Sequence, residues 1–208
     1  MAVTARWYAK GVQHFMGADI NWTTASLKVA LHTSSYTPDT AGDEFQSVLG
    51  NETSGTGYTA GGITLTAIAE AIVDDAAATA WGATTAYDVG DLVRPGSANG
   101  YIYRCIIAGT SGGSEPTWTT TVGRDLTDNT ATWENVGTQY VKLDGNDVSW
   151  TPSTTISARY AVVYVDGANG TADFVIGYVD FGTTESSSNG DFDINWHATG
   201  ILQAFISL

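Results

Sequence analysis

The sequence predicts an all-β protein: mainly an antiparallel β-sandwich, with a short N-terminal helix and a small inserted β module. Three observations carry this. Gly is abundant, at 24 residues, and sits among many Thr, Ser, Val and Tyr, the composition of strands joined by tight turns. Runs such as Arg159 to Asp166 (RYAVVYVD) and Phe174 to Phe181 (FVIGYVDF) are rich in β-branched and aromatic residues. Finally, Ala80 to Gly137 holds three of the seven Trp, three of the ten Tyr and the only Cys. That density differs from both flanks and marks a block able to pool its aromatics into a core of its own.

Taken in order, Thr4 to Gly17 places Tyr8, Val12, Phe15 and Met16 at helical spacing, with Gly17 as the stop and Gly11 as a weak point. Leu27, Val29 and Leu31 alternate with Lys28, Ala30 and His32, the period of a half-buried strand. Tyr36 to Asp39 ends it in a turn. The run from Gly50 to Gly62 is too rich in Gly for a regular element and reads as a loop. Ile63, Leu65 and Ala67 alternate into another strand, followed by an Ala-rich stretch that leads into the module.

Beyond the module, Gln139 to Trp150 carries the turn signal Asp144-Gly145-Asn146-Asp147 between two short strand patterns, which predicts a hairpin. The runs 159–166 and 174–181, joined by Gly167-Ala168-Asn169-Gly170, predict a strand pair at the centre of the main sheet. Phe192, Ile194 and Trp196 alternate with Asp191, Asp193 and Asn195, so one face is apolar and the other acidic. Gly200 to Leu208 closes the chain as an apolar strand. Residues 1–79 and 138–208 would each leave long unpaired edges alone, so they are expected to form one discontinuous domain, with 80–137 inserted between two of its strands.

Apolar residues make up 43% of the chain, ample for a core, and one Cys excludes an internal disulfide. The formal charge of −14 repels phosphate backbones and anionic membranes, so neither nucleic acid nor membrane is expected as a partner. No apolar run is long enough to span a bilayer, and MAVTARWYAK lacks the apolar run of a secretion signal. Synthesis in a cytoplasm is expected.

Several patterns suggest chemistry and fall short of it. Gly109-Thr110-Ser111-Gly112-Gly113 has the letters of a nucleophile elbow, but Ser114-Glu115-Pro116 follows where a helix is needed, and a loop is expected. Asp191 to Asn195 opens like a calcium loop but has Trp196 at its sixth position and Leu202 at its twelfth. An acidic strand face is expected there. His14, His32 and His197 lack ligand spacing and read as surface or half-buried residues. Cys105 alternates with Tyr101, Tyr103 and Ile107 and reads as a small core residue. No catalytic residue, metal or cofactor is expected, and the chain does not read as an enzyme.

Among the module's aromatics, Trp81, Tyr87 and Trp133 are expected in its core. Trp118 follows Pro116 in a polar loop, where an exposed indole offers a face to a sugar. Tyr101 and Tyr103 point to one side of their strand and are the residues expected to join it.

SLKVALHTSSYTPD, TSGTGYTAGGITLT, SARYAVVYVDG, IGYVDFG and SSSNGDFDINWHATGIL together resemble a family of structural proteins of tailed bacteriophages and prophages. The module resembles the small carbohydrate-binding modules attached to chitinases, through Ala80-Trp81, Tyr87, Gly90-Asp91-Leu92-Val93, Tyr101 with Tyr103, Glu115-Pro116 with Trp118, and Trp133. Where that family often carries a Trp pair after the Tyr strand, this chain has Ile106-Ile107. The resemblance implies a virion structural protein at the particle surface, with a head decoration or cement role ahead of a tail role. It implies the major capsid protein or other virion proteins as partners, a homo-oligomer such as a trimer, and a glycan ligand, for which Trp118, Tyr103 and Tyr101 are the contacts expected from the residues themselves. The accessory module of a secreted polysaccharide-degrading system is the alternative.

Overall fold

The computed structural model describes residues 2–167 and 173–206, which are mostly strand with one α-helix. In order, the described elements begin with β1 (Ala2–Val3), β2 (Arg6–Trp7), α1 (Ala9–Met16), β3 (Leu27–His32) and β4 (Ile63–Thr64). There follow β5 (Ala69–Asp74), β6 (Thr79–Ala80), β7 (Ala86–Tyr87), β8 (Leu92–Arg94), β9 (Ile102–Ile107), β10 (Gly109–Thr110), β11 (Asp125–Asp128), β12 (Ala131–Gly137) and β13 (Gln139–Asp144). The last are β14 (Val148–Thr154), β15 (Ser157–Val165), β16 (Val175–Ser186), β17 (Gly190–Trp196) and β18 (Leu202–Ile206). Two compact units emerge: Met1–Ala69 with Leu143–Leu202, and Glu70–Lys142 with Gln203–Leu208.

The first unit is built on an antiparallel sheet in the order β2-β16-β15-β3-β4. Ala30 pairs with Val162 and Val162 with Tyr178, so these three share a face; Val29, Leu31, Ala161 and Val163 lie on the other. Both faces are buried. That is why β3 and β15 read as near-continuous apolar runs rather than as a clean alternation. Tyr8, Ala30, Tyr36, Val162, Tyr164, Val175 and Tyr178 form the core on one side. A second sheet, β1-β17-β14, alternates Phe192, Ile194 and Trp196 inward and Asp191, Asp193 and Asn195 outward. Phe181 of β16 meets Phe192 of β17 edge-on at 6.2 Å, an inter-sheet contact of a sandwich.

Helix α1 crosses β16 at Gly11, the buried residue of the helix. A Cβ there would lie 2.7 Å from the Val175 carbonyl oxygen and 2.8 Å from the Ile176 Cα. The glycine that weakens the helix as a local element is therefore what lets it lie on the strand. Met16, expected on the buried stripe, is 85% exposed, and residues 6–7, expected as helix, pair with β16 instead. The Gly-rich loop does fold as a loop. Gly62 (φ +73°) passes so close to β3 that a Cβ would strike the Val29 carbonyl.

The second unit is a five-stranded sheet in the order β11-β12-β9-β8-β6, covered on both faces. One face buries Val93, Tyr103, Cys105, Ala131 and Trp133, with Trp81, Tyr87, Tyr101, Trp118 and Leu126 packed against them. The other buries Leu92, Ile102, Val136 and Tyr140 against Val73, Ala78 and Phe205. Composition places the module at 80–137, yet one of the unit's two cores also draws on Val73, Ala78, Tyr140 and Phe205, which fall outside that span. They come from or beside the sheet β18-β13-β5.

The hairpin expected over 139–150 does not form. β13 pairs within the β18-β13-β5 sheet, while β14 pairs with β17, so Asp144 to Asp147 links strands of different sheets. The Ala-rich stretch contains β5 and the start of β6, which its low β-propensity conceals. The β15–β16 pair stands at the centre of its sheet as expected. Most of its connection, residues 168–172, lies outside the described residues.

Candidate functional site

In the second unit, the aromatic residues of one sheet face are organised by a single buried carboxylate. Asp128, 4% exposed, accepts hydrogen bonds from Trp81 Nε1 (2.8 Å) and Trp133 Nε1 (3.2 Å) on Oδ2, and from the Gly112 amide (2.8 Å) on Oδ1. A buried carboxylate needs such donors, since its ionised form is costly without them. Two indoles from opposite ends of the unit are thus fixed in one orientation. Tyr87 meets Trp133 edge-on at 4.8 Å.

Trp118 lies beside this core, half-buried rather than free in a polar loop. Its ring centroid is 4.3 Å from that of Tyr103 and 6.0 Å from that of Trp133. Its indole N–H donates to Glu115 Oε1 (2.8 Å), which also accepts from the Gly96 amide (2.7 Å). Glu115 therefore ties the Trp118 loop to the 95–96 turn and orients the ring. Tyr103 is fully buried, and its hydroxyl donates to the Thr119 carbonyl (2.8 Å) while accepting from Asn99 Nδ2 (2.8 Å). It presents no ring face to a ligand; its geometry is that of a support under Trp118. Tyr101 is half-buried at the rim. Of the three residues read from the sequence as a surface group, two remain partly accessible and one is core.

Ser111 is 1% exposed, and its Oγ donates to the Gly82 carbonyl (2.6 Å) and accepts from the Thr85 amide (2.9 Å). It joins two loops instead of standing at an elbow. Burial pushes the Cys105 thiol up to about 11, as suits a core thiol beside Asp91. Ile107 is 56% exposed, and Ile106 is half-buried.

In the first unit, His32 is wholly buried, not half-buried as expected. Its Nδ1 lies 3.0 Å from the Gly50 carbonyl and its Nε2 lies 3.1 Å from Gln46 Nε2. The carbonyl makes Nδ1 the proton carrier and leaves Nε2 to accept from Gln46. Burial lowers its pKa. Asp191 to Asn195 is strand, not a calcium loop, and among the described residues no group of three or more His, Cys, Asp or Glu is placed to hold a metal. No described helix is long and apolar enough to cross a membrane.

Asp128 left no signal in the sequence, because its partners Trp81 and Gly112 lie far from it along the chain. A lone Asp followed by Asn-Thr reads as a turn. No protein-family model, no curated protein and no solved structure matches the chain.

Proposed function

We propose that this chain is a structural protein of a bacteriophage virion, a head decoration or cement protein, whose first unit docks on the particle and whose second unit displays a carbohydrate-binding-like face. One observation carries the virion part. The five motifs that resemble phage structural proteins are scattered over the sequence, yet they converge in the first unit as β3, the 53–66 stretch with β4, β15, β16 and β17. Two of them also support each other there: the Tyr58 hydroxyl accepts from the Leu31 amide (3.0 Å) and donates to Glu52 Oε1 (2.7 Å), which also holds the Gly61 amide (2.6 Å). The five stretches thus serve one fold, as a shared family pattern would. The family resemblance supplies the virion role.

A decoration protein bridges capsomers, and many copies on one shell turn weak sugar contacts into avidity. Trp118, with Tyr101 at the rim, is the face offered to a sugar, and Tyr103 supports it from below. Particles assembled without this protein should lose infectivity at a lower temperature and under milder pressure than complete ones. Equal resistance would argue against a cement role. For the sugar part, intact particles should be retained on a polysaccharide array, and Trp118→Ala particles should not; no retention of either would leave the module as a surface thickening alone.

A further inference from the structure

Strand β17 lies between β14 and β1, but β1 covers little of it. Among the described residues, β1 pairs only with Asn195 and Trp196, while β14 runs alongside from Gly190 to Ile194. Amides along a strand alternate in direction. The Trp196 amide turns toward the β14 side, where it donates to Asp147 Oδ1 (2.7 Å), and the His197 amide turns toward β1, donating to the Val3 carbonyl (2.8 Å). By that alternation Asp191 and Asp193 direct their amides to the β1 side, where no described strand pairs with them.

This open edge borders a cleft of about 290 Å³. Val3, Phe181 and Phe192 give it an apolar floor, and Glu185, Asp191 and Asp193 give it three carboxylates, with no Lys, Arg or His among the described residues of its lining. The Glu185 carboxylate accepts from the Thr183 hydroxyl (3.0 Å) and that of Asp193 from the Ser149 hydroxyl. Asp191 makes no side-chain hydrogen bond or ion pair among the described residues. Beside the cleft the β16 strand bulges: Asp180 faces Tyr160 and Glu185 faces Ala158, so four residues, Phe181 to Thr184, oppose Arg159 alone. Bulges of this kind end pairing and re-aim side chains next to binding sites.

We infer that this edge and cleft are the docking site for an extended segment of another protein in which basic residues alternate with apolar ones. An added strand would take the free backbone groups of Asp191 and Asp193. Its side chains would then alternate between faces with a period of two. Asp191 and Asp193 are two residues apart on the exposed face, so basic side chains at positions i and i+2 of the segment stand opposite them as cross-strand pairs. The residues between turn toward the Phe181 and Phe192 side. Charge selects against a second copy of this chain, whose formal charge is −14. The inference stands on the first unit's geometry and does not depend on the sugar reading or on the virion reading.

The test uses the full chain and a fluorescent octapeptide of alternating arginine and valine. Binding read by anisotropy should be saturable and should weaken with added salt, and a glutamate–valine peptide should not bind. The double substitution Asp191→Asn with Asp193→Asn, both exposed and nearly isosteric, should weaken binding at least tenfold. Phe181→Ala should weaken it severalfold. Hydrogen exchange should show the Asp191 and Asp193 amides protected only when the peptide is bound. The inference is overturned if the arginine–valine peptide does not bind, if the glutamate–valine peptide binds as tightly, if the substitutions leave affinity unchanged, or if those amides gain no protection. It is overturned equally if sedimentation shows self-association that the same double substitution abolishes, which would assign the edge to a second copy.

Discussion

Asp128 holds two indole N–H groups and one backbone amide with two oxygens, so replacing one oxygen by an NH₂ group sets donor against donor inside a closed core. Asp128→Asn should lower the stability of the chain by roughly 2–4 kcal/mol, since buried donors left without acceptors cost about 1–3 kcal/mol each. Denaturant unfolding followed by Trp fluorescence measures this, and a loss below about 0.5 kcal/mol, the size of an ordinary surface substitution, would contradict it. His32 makes a pH prediction. Its folded pKa is lowered by burial, so below its ordinary value near 6.5 the unfolded chain binds the proton better, and stability falls as pH drops through that value. The wild type should lose stability from about pH 6.5 downward more steeply than His32→Gln, by up to about 1.4 kcal/mol per pH unit. Parallel curves would refute the assignment. At this scale the sequence was readable where a residue's neighbours along the chain also surround it in space, as with Cys105 in its strand. It was not readable for Asp128 or His32, whose environments are assembled from distant segments.

Elements were legible where pattern and packing agree. The β15–β16 pair is such a case: its β-branched and aromatic runs serve a sheet buried on both faces. Helix α1 shows the opposite. Its sequence contains a residue that weakens any isolated helix, and only the close approach to β16 explains why Gly11 belongs there. Gly11→Ala should therefore destabilise the chain by about 1–3 kcal/mol, despite the higher helix propensity of Ala, because the helix must lift off the strand. Thermal unfolding checks the sign: a gain in stability would mean that the contact yields easily. The Asp144 to Asp147 turn signal was real as a turn, but it cannot say which strands it joins. β5 was hidden for a related reason, since its Ala-rich sequence has little strand preference and its place is set by the sheet it borders.

At the scale of the molecule, the Trp-dense span 80–137 lies inside the second unit, which runs from Glu70 to Lys142 and adds Gln203–Leu208. Aromatic composition marks the core of Trp81, Trp133 and Tyr103. The core on the opposite face joins Leu92, Ile102, Val136 and Tyr140, with Val73, Ala78 and Phe205 packed against them, ordinary apolar residues that no local pattern groups together. Of the three aromatics read as a surface group, Trp118 and Tyr101 stay partly accessible and Tyr103 is buried, because strand alternation tells which residues share a side and not whether that side is covered. The central proposal is that this chain is a virion component, and the composition of the particles tests it most directly. If the proposal holds, gradient-purified particles of a phage whose genome carries this sequence, analysed by quantitative mass spectrometry, should contain the chain at many copies in fixed ratio to the major capsid protein. Its absence from particles, with the protein found only free in the lysate, would contradict the account.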